Sequence, residues 1–205
     1  MNRNNQEIEA KFLISNLPAL LVKLKQLGAV EIRPRVLETN LRFDTPEGRL
    51  SQSAQVLRLR QDDQAILTVK KAGEIVDGVI TRTELEVVVS SFESARAILE
   101  ALGFKVYLTY EKYRQNFNLN HLVASVDEMP YGNFIELEGS SAEHVRETAS
   151  LLGLDWEQRI NLSYTALLSV YNQNTGHAFQ DLSFGVFAGV KVAPAELGLS
   201  YADVV

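Results

Sequence analysis

The sequence has no cysteine among its 205 residues. This excludes a disulfide framework, a thiolate metal site and a cysteine nucleophile, and it is typical of a protein from a reducing compartment. No apolar run approaches the length of a transmembrane helix, and the opening MNRNNQ does not lead into the apolar core of a signal peptide. We therefore expect a soluble, cytoplasmic protein that does not act at a membrane.

Positive charge is also in short supply. The chain has 20 Lys and Arg against 26 Asp and Glu, a formal net charge of −6. A surface for general nucleic-acid binding is therefore not indicated, and we expect no nucleic acid polymer as a partner. The average leaves room for a local basic site. Because 46% of the residues are hydrophobic, the chain can build a substantial core as one large domain or two small ones.

The sequence is rich, however, in stretches where charged and apolar residues alternate. EIEAKF, at residues 7–12, places two acids and a base on one face of a strand and three apolar residues on the other. The pattern recurs in VLRLR, LTVK, RTELE, EKYR and IELE, and in Asn40, Arg42 and Asp44 of NLRFD. The charged positions are Glu7, Glu9, Lys11, Arg58, Arg60, Lys70, Arg82, Glu84, Glu86, Lys112, Arg114, Glu136 and Glu138.

Turn residues and capping signals divide the chain into strands and a few helices. Leucines at helical spacing and capping residues predict helices over 18–28, 92–103, 141–153 and 161–172. Because hairpins join most of the strands, we expect an antiparallel sheet. The predicted strands are 7–14, 36–44, 55–60, 65–73, 79–89, 108–119, 121–129 and 133–139.

The amphipathic helices need an apolar surface to cover, and the strands offer one. We therefore predict a barrel whose apolar outer face carries the helices and whose interior is charged. Burying so many charges is costly unless they are paired or bound to a ligand. Clustered Arg and Lys suit a chain of phosphates, and clustered carboxylates suit Mg²⁺ or Mn²⁺. We favour a metal–triphosphate site; an internal salt-bridge ladder without a ligand is the alternative.

These stretches also resemble, in order, the motifs of the CYTH domain, the triphosphate tunnel metalloenzyme family. The resemblance runs over about residues 5–172. The matching elements are E-x-E-x-K, LRFDT, VLRLR, LTVK, RTELE, EKYR, VDEMPYGNFIELEG and NLSY. It implies an α+β fold: an eight-stranded antiparallel β-barrel, or tunnel, with a charged interior and amphipathic helices packed outside. It also implies a linear triphosphate as substrate and a divalent metal.

The resemblance also implies roles for individual residues. The substrate-binding residues would be Lys11, Arg58, Arg60, Lys70, Arg82, Lys112 and Arg114. The metal would be held by Glu7, Glu9, Glu136 and Glu138, with help from Asp127. We assign catalysis to Glu7, Glu9, Lys11 and Lys70. Tyr164, in the Ser-Tyr element, could also reach the tunnel.

Several functions fit this prediction. We favour a hydrolase acting on inorganic triphosphate or a small organic triphosphate such as thiamine triphosphate. A class IV adenylate cyclase and a non-catalytic binder of nucleotide or polyphosphate are the alternatives. We predict a CYTH domain over residues 1–173 and leave residues 174–205 unassigned, as a segment that is mobile or docks on a partner or on the domain itself. A homodimer is compatible with the sequence.

Overall fold

A computed structural model describes the backbone of residues 6–203 and the side chains of residues 8–203. This part of the chain forms nine β-strands and five α-helices. The strands are β1 (Gln6–Ile14), β2 (Val30–Asp44), β3 (Val56–Gln61), β4 (Ala65–Lys70), β5 (Glu74–Val76), β6 (Val79–Val89), β7 (Lys105–Leu119), β8 (Leu122–Met129) and β9 (Gly132–Glu138). The helices are α1 (Leu17–Gln26), α2 (Arg49–Gln52), α3 (Phe92–Ala101), α4 (Ala142–Leu152) and α5 (Tyr164–Thr175).

The strands close into a ring. Eight of the nine described strands follow the order β1-β9-β8-β7-β2-β3-β4-β6, and an added pairing of β1 with β6 joins the two ends. Every one of these pairings is antiparallel. β5 is a short addition that pairs with the start of β6. The predicted eight-stranded antiparallel barrel is thus confirmed.

The barrel is apolar outside and charged inside, as the alternation predicted. Along β3, the side chain of Arg58 points into the tunnel and has only 8% of its surface exposed. The flanking Leu57 and Leu59 point outwards, where they pack with Ala95 and Leu99 of α3. Burial of these outward leucines holds β3 in a register that keeps Arg58 inside.

Helices cover two further parts of the outer surface. Leu20 and Leu24 of α1 and Val145 and Ala149 of α4 pack with Phe12 and other apolar residues of β1, β8 and β9. A side-chain oxygen caps each of the four longer helices at its N-terminus. The capping residues are Asn16, Ser91, Ser141 and Ser163. No helix within residues 6–203 is both long and apolar enough to cross a bilayer.

The segment after α5 lies on the barrel's own outer surface. Leu182 is fully buried, and its backbone exchanges hydrogen bonds of 2.9 Å with Thr109 and Glu111 of β7. Further along, the Asp203 carboxylate accepts backbone hydrogen bonds from Ser15 and Asn16, at 2.7 and 2.9 Å. The segment is therefore joined to the barrel at two distant places. The domain boundary at residue 173 and the homodimer stay predictions.

The structure contains a short helix, α2, and a short strand, β5, that the sequence did not predict. α2 follows a turn that Asp44 organises by accepting hydrogen bonds from the backbone of Thr45, Leu50 and Ser51 and from the Ser51 hydroxyl. These bonds offset the burial of the carboxyl and lower the pKa of Asp44. Asp44 therefore stabilises this turn, while Asn40 and Arg42 lie on the inner face of β2. β5 has only three residues, too few to show a period.

Candidate active site

One large cavity of about 900 Å³ occupies the tunnel. Residues from all nine described strands line it, and so does the start of α5. The ten basic lining residues are Lys11, Arg33, Arg42, Arg58, Arg60, Lys70, Lys71, Arg82, Lys112 and Arg114. The six acidic ones are Glu9, Glu74, Glu84, Glu86, Glu136 and Glu138. The cavity is therefore basic although the chain as a whole is acidic.

Two pairs of like charges stand on opposite sides of the ring. Glu9 of β1 and Glu138 of β9 are direct cross-strand partners. Arg42 of β2 and Arg58 of β3 are also direct partners. In the strand order, the β1–β9 pair lies opposite the β2–β3 pair. Because like charges directly opposite in a sheet are destabilising, the arrangement suits a ligand that brings anionic groups to one wall and a cation to the other.

On the acidic wall, the side of the barrel that carries Glu9 and Glu138, an ion pair joins β1 to β9. Lys11 Nζ lies 3.0 Å from Glu136 Oε1, and Arg114 contacts the other oxygen of the same carboxylate. Burial acts to lower the pKa of Lys11, but the charges of Glu136 and Glu9 outweigh it and raise that pKa above its ordinary value. Burial acts to raise the pKa of Glu136, yet Lys11 and Arg114 hold it well below its usual range. Both groups are therefore charged at neutral pH.

Asp127 lies at the centre of a buried network. It is fully buried, and its oxygens accept hydrogen bonds from Lys112 at 3.1 Å, from Arg114 at 2.5 and 2.6 Å and from the Tyr164 hydroxyl at 2.8 Å. The ring of Tyr164 in turn lies under Lys11, with Nζ 4.3 Å from its centroid. Asp127 thus ties two predicted phosphate-binding bases to the first residue of α5.

Glu38 is a second buried acid and was not among the predicted site residues. It lies within 3.2 Å of Arg33, 3.7 Å of Lys112 and 3.8 Å of Arg60. Burial acts to raise the pKa of its carboxyl, but the positive charges around it, led by Lys112, hold that pKa below its ordinary value. Glu38 lies two residues before Asn40, on the same face of the strand as Asn40 and Arg42. The alternation, extended by one step towards the N-terminus, therefore includes Glu38.

We expect Glu38→Gln to lower stability at pH 7 by about 1–3 kcal/mol. Because the pKa of Glu38 is lowered on folding, the ionised group contributes stability that is fully present above its ordinary pKa and is lost as the pH falls through its folded pKa. The gap between variant and parent should therefore narrow on acidification. Thermal unfolding from pH 7 down to pH 3 measures it. The exposed Glu100→Gln on α3 is the control, and a gap that does not change with pH would contradict the assignment.

The wall formed by β3, β4 and β6 is also ion-paired. Lys70 Nζ lies 2.7 Å from Glu84, and the Arg58 guanidinium lies 3.4 Å from Glu86. On the other edge of β6, where it pairs with β1, Arg82 lies 3.1 Å from Glu9. These pairs hold the bases in place around the cavity.

The structure brings most of the predicted site residues together. All seven predicted phosphate-binding bases line the cavity. Among the predicted metal ligands, Glu9, Glu136 and Glu138 line it as well, whereas Asp127 is buried beneath the lining. The side chain of Glu7 lies outside the described residues. The roles of all these residues stay predictions.

Several lining residues escaped the sequence interpretation. Arg33 and Lys71 belong to irregular backbone, where alternation gives no guidance. Ser163 and Thr165 come from the first turn of α5 rather than from a strand. Tyr164 lines the cavity beside them, so the suggestion that it reaches the tunnel is correct.

The fold and the cavity define a closed β-barrel protein with an ion-paired binding tunnel. Comparison with known proteins places it more closely: residues 5–163 match the CYTH domain. The chain therefore belongs to the CYTH family, and it is an enzyme.

Individual relatives support this placement. A Methanocaldococcus jannaschii protein with the provisional name adenylate cyclase is 28% identical over 171 residues, which cover 78% of this chain and 97% of that protein. A Vibrio parahaemolyticus structure with the same provisional name has a TM-score of 0.72 at 23% identity, over 80% of this chain and 97% of the other. The Hippeastrum protein HpAC1 has a TM-score of 0.54 at 20% identity, over 95% and 100% of the two chains, and is described as having a dominant triphosphatase activity. The two structures establish the fold alone.

Proposed function

We propose that the chain is a divalent-metal-dependent phosphohydrolase that binds a linear triphosphate in its tunnel. The observation that carries the proposal is the arrangement of the walls, with the Arg42–Arg58 pair on one side of the ring and the Glu9–Glu138 pair on the other. A triphosphate with its bound cation presents these two charges in one molecule. A ladder of internal salt bridges has no need of like charges set face to face.

The bases would bind the phosphates by exchanging partners. Arg58, Lys70 and Arg114 each contact a carboxylate now, and each lines the cavity. Phosphate oxygens offer these donors equivalent charge-assisted hydrogen bonds, and Arg can bind them in bidentate fashion. Because the bases stand on rigid strands, they would stabilise the charge that builds up on the transferring phosphoryl group without reorganising. Lys11, Arg60, Arg82 and Lys112 would complete the set.

The carboxylates of the opposite wall fit a divalent cation. Mg²⁺ is commonly held by one or two carboxylates together with substrate phosphates. Glu9 and Glu138 supply two such groups from adjacent strands, and Glu136 lies one inward position along β9 from Glu138. Within residues 8–203, no group of three or more acidic or histidine side chains is placed to hold a metal ion without the substrate. When bound, Mg²⁺ or Mn²⁺ would polarise the phosphoryl group and lower the pKa of an attacking water.

A class IV adenylate cyclase is the second candidate, favoured by the provisional names of the relatives. In that reaction, the ribose 3′-hydroxyl of ATP attacks the α-phosphate, pyrophosphate leaves and the hydroxyl proton is lost. The same bases would hold the leaving pyrophosphate. The cavity of about 900 Å³ also has the size of a ligand site that accepts a nucleotide.

Product analysis distinguishes these reactions. We expect the purified protein to release phosphate from inorganic triphosphate, ATP or thiamine triphosphate when Mg²⁺ or Mn²⁺ is present, and to stop on addition of chelator. Cyclic AMP and pyrophosphate from ATP would instead establish the cyclase. Tight binding of all three substrates without turnover would contradict both enzymes and leave a binding protein.

A further inference from the structure

Arg42 differs from the other arginines of the cavity in having no acidic partner. Arg33, Arg58, Arg60, Arg82 and Arg114 each lie within 4 Å of a carboxylate. Within the described part of the chain, Arg42 makes no such ion pair. Its Nη1 donates a hydrogen bond of 3.4 Å to the Thr165 hydroxyl, its guanidinium lies 5.8 Å from the ring centroid of Tyr107, and its buried Nε has no hydrogen-bond partner.

The position of Arg42 makes the lack of an acidic partner more costly. Its direct partner across the β2–β3 ladder is Arg58, another guanidinium, which is almost fully buried. The Nε of Arg58 also lacks a hydrogen-bond partner. Two arginines thus face each other in a sheet, and each leaves a buried donor unused. An anion between them would satisfy both donors and remove the repulsion.

The first turn of α5 adds donors beside Arg42. Thr165 contacts Arg42 directly, and Ser163 and Thr165 both line the cavity. A helix N-terminus carries a partial positive charge, which favours an anion nearby. Guanidinium groups, hydroxyls and a helix terminus together offer more donors than an internal phosphate of a chain can use. A terminal phosphoryl group, with three acceptor oxygens and the greater charge, fits this set better.

We propose that Arg42 and Arg58 together bind the terminal phosphoryl group of the substrate beside the first turn of α5. Arg42 thereby selects for ligands that end in a free phosphate. This inference rests on the proposed function, since it concerns the same cavity and the same class of substrate.

The test is equilibrium binding combined with thermal unfolding. Sodium tripolyphosphate, without metal, is titrated calorimetrically into the parent protein, Arg42→Gln, Arg42→Lys and the control Arg49→Gln, which alters an exposed arginine of α2. We expect Arg42→Gln to weaken binding by about 10- to 100-fold, Arg42→Lys to recover part of the loss, and Arg49→Gln to bind as the parent does. Without ligand, Arg42→Gln should melt at the parent's temperature or above it, because a repulsion has been removed.

Cyclic trimetaphosphate, which has three phosphates and no terminal one, tests the assignment to the end of the chain. We expect Arg42→Gln to leave its affinity almost unchanged. Unchanged tripolyphosphate binding in Arg42→Gln, an equal loss for both ligands, or a large fall in melting temperature without ligand would each overturn the inference. Failure of the parent itself to bind tripolyphosphate without metal would also overturn the inference. The proposed function, which includes the metal, is tested separately by the product analysis.

Discussion

Replacing Glu9 by Gln is expected to lower divalent-metal-dependent turnover of a linear triphosphate by about 100- to 1,000-fold. Glu9 faces Glu138 across the β1–β9 ladder. These two carboxylates are the pair that we propose for the cation, so the loss of one charge should weaken metal binding. The amide of Gln has the same shape and can still accept the hydrogen bond that Arg82 donates at 3.1 Å. The change therefore removes a negative charge from the wall while it keeps the shape of the side chain.

Steady-state kinetics over a range of Mg²⁺ and Mn²⁺ concentrations measures this effect. We expect the metal concentration at half-maximal rate to rise along with the loss in kcat. Glu100→Gln makes the same chemical change on the exposed face of α3 and should behave as the parent does. If Glu9→Gln keeps both the rate and the metal dependence of the parent, the cation is not bound at the β1–β9 wall.

Replacing Asp127 by Asn should have the largest effect on stability, a loss of about 3–5 kcal/mol. The carboxylate is fully buried and accepts hydrogen bonds from Lys112, Arg114 and Tyr164. An amide has one acceptor oxygen and no charge, so Lys112 and Arg114 lose the buried counterion that they share and keep only Glu38 and Glu136. For a chain of this size, the melting temperature should fall by about 6–20 °C.

Asp63→Asn is the matched control for that variant. Asp63 also contacts an arginine, Arg33, but its side chain is largely exposed, and pairs of this kind contribute about 1 kcal/mol or less. An unchanged melting temperature in Asp127→Asn would contradict the structural role. Turnover measured well below the melting temperature tests the predicted metal role separately, because a metal ligand is needed even when the chain is fully folded.

For the charged residues whose side chains are described, the sequence predicted the face of the strand on which each lies, but not its depth. Asp127 and Glu136 both occupy inward positions of neighbouring strands, yet only Glu136 lines the cavity. Alternation along a strand identifies the inner face. Depth depends on the tilt of the strands and on the aromatic side chain of Tyr164, which fills the space beside Asp127. These follow from the closed barrel and cannot be read from any one strand.

The parts that escaped prediction lack a period. β2 is irregular around Arg33, with register shifts on either side of that residue, so the alternation is broken where Arg33 enters the cavity. Beyond α5, the apolar residues Phe179, Leu182, Phe187 and Leu197 are spaced unevenly. They pack against the barrel and α5 from a turn, from extended stretches and, for Leu197, from a 3₁₀ helix of four residues, so neither a helical nor a strand pattern results.

Closure of the ring through β1 has a consequence for synthesis of the chain. β1 leaves the ribosome before either of its two neighbours, because β6 and β9 lie far along the sequence. Until β9 has emerged, the first strand lacks a partner on one edge, and the charged interior is open to water. The barrel therefore completes late, by contacts of high sequence separation, which favours slow folding and leaves a nascent chain with unpaired strand edges. A chaperone that binds extended segments would have its longest opportunity at β1.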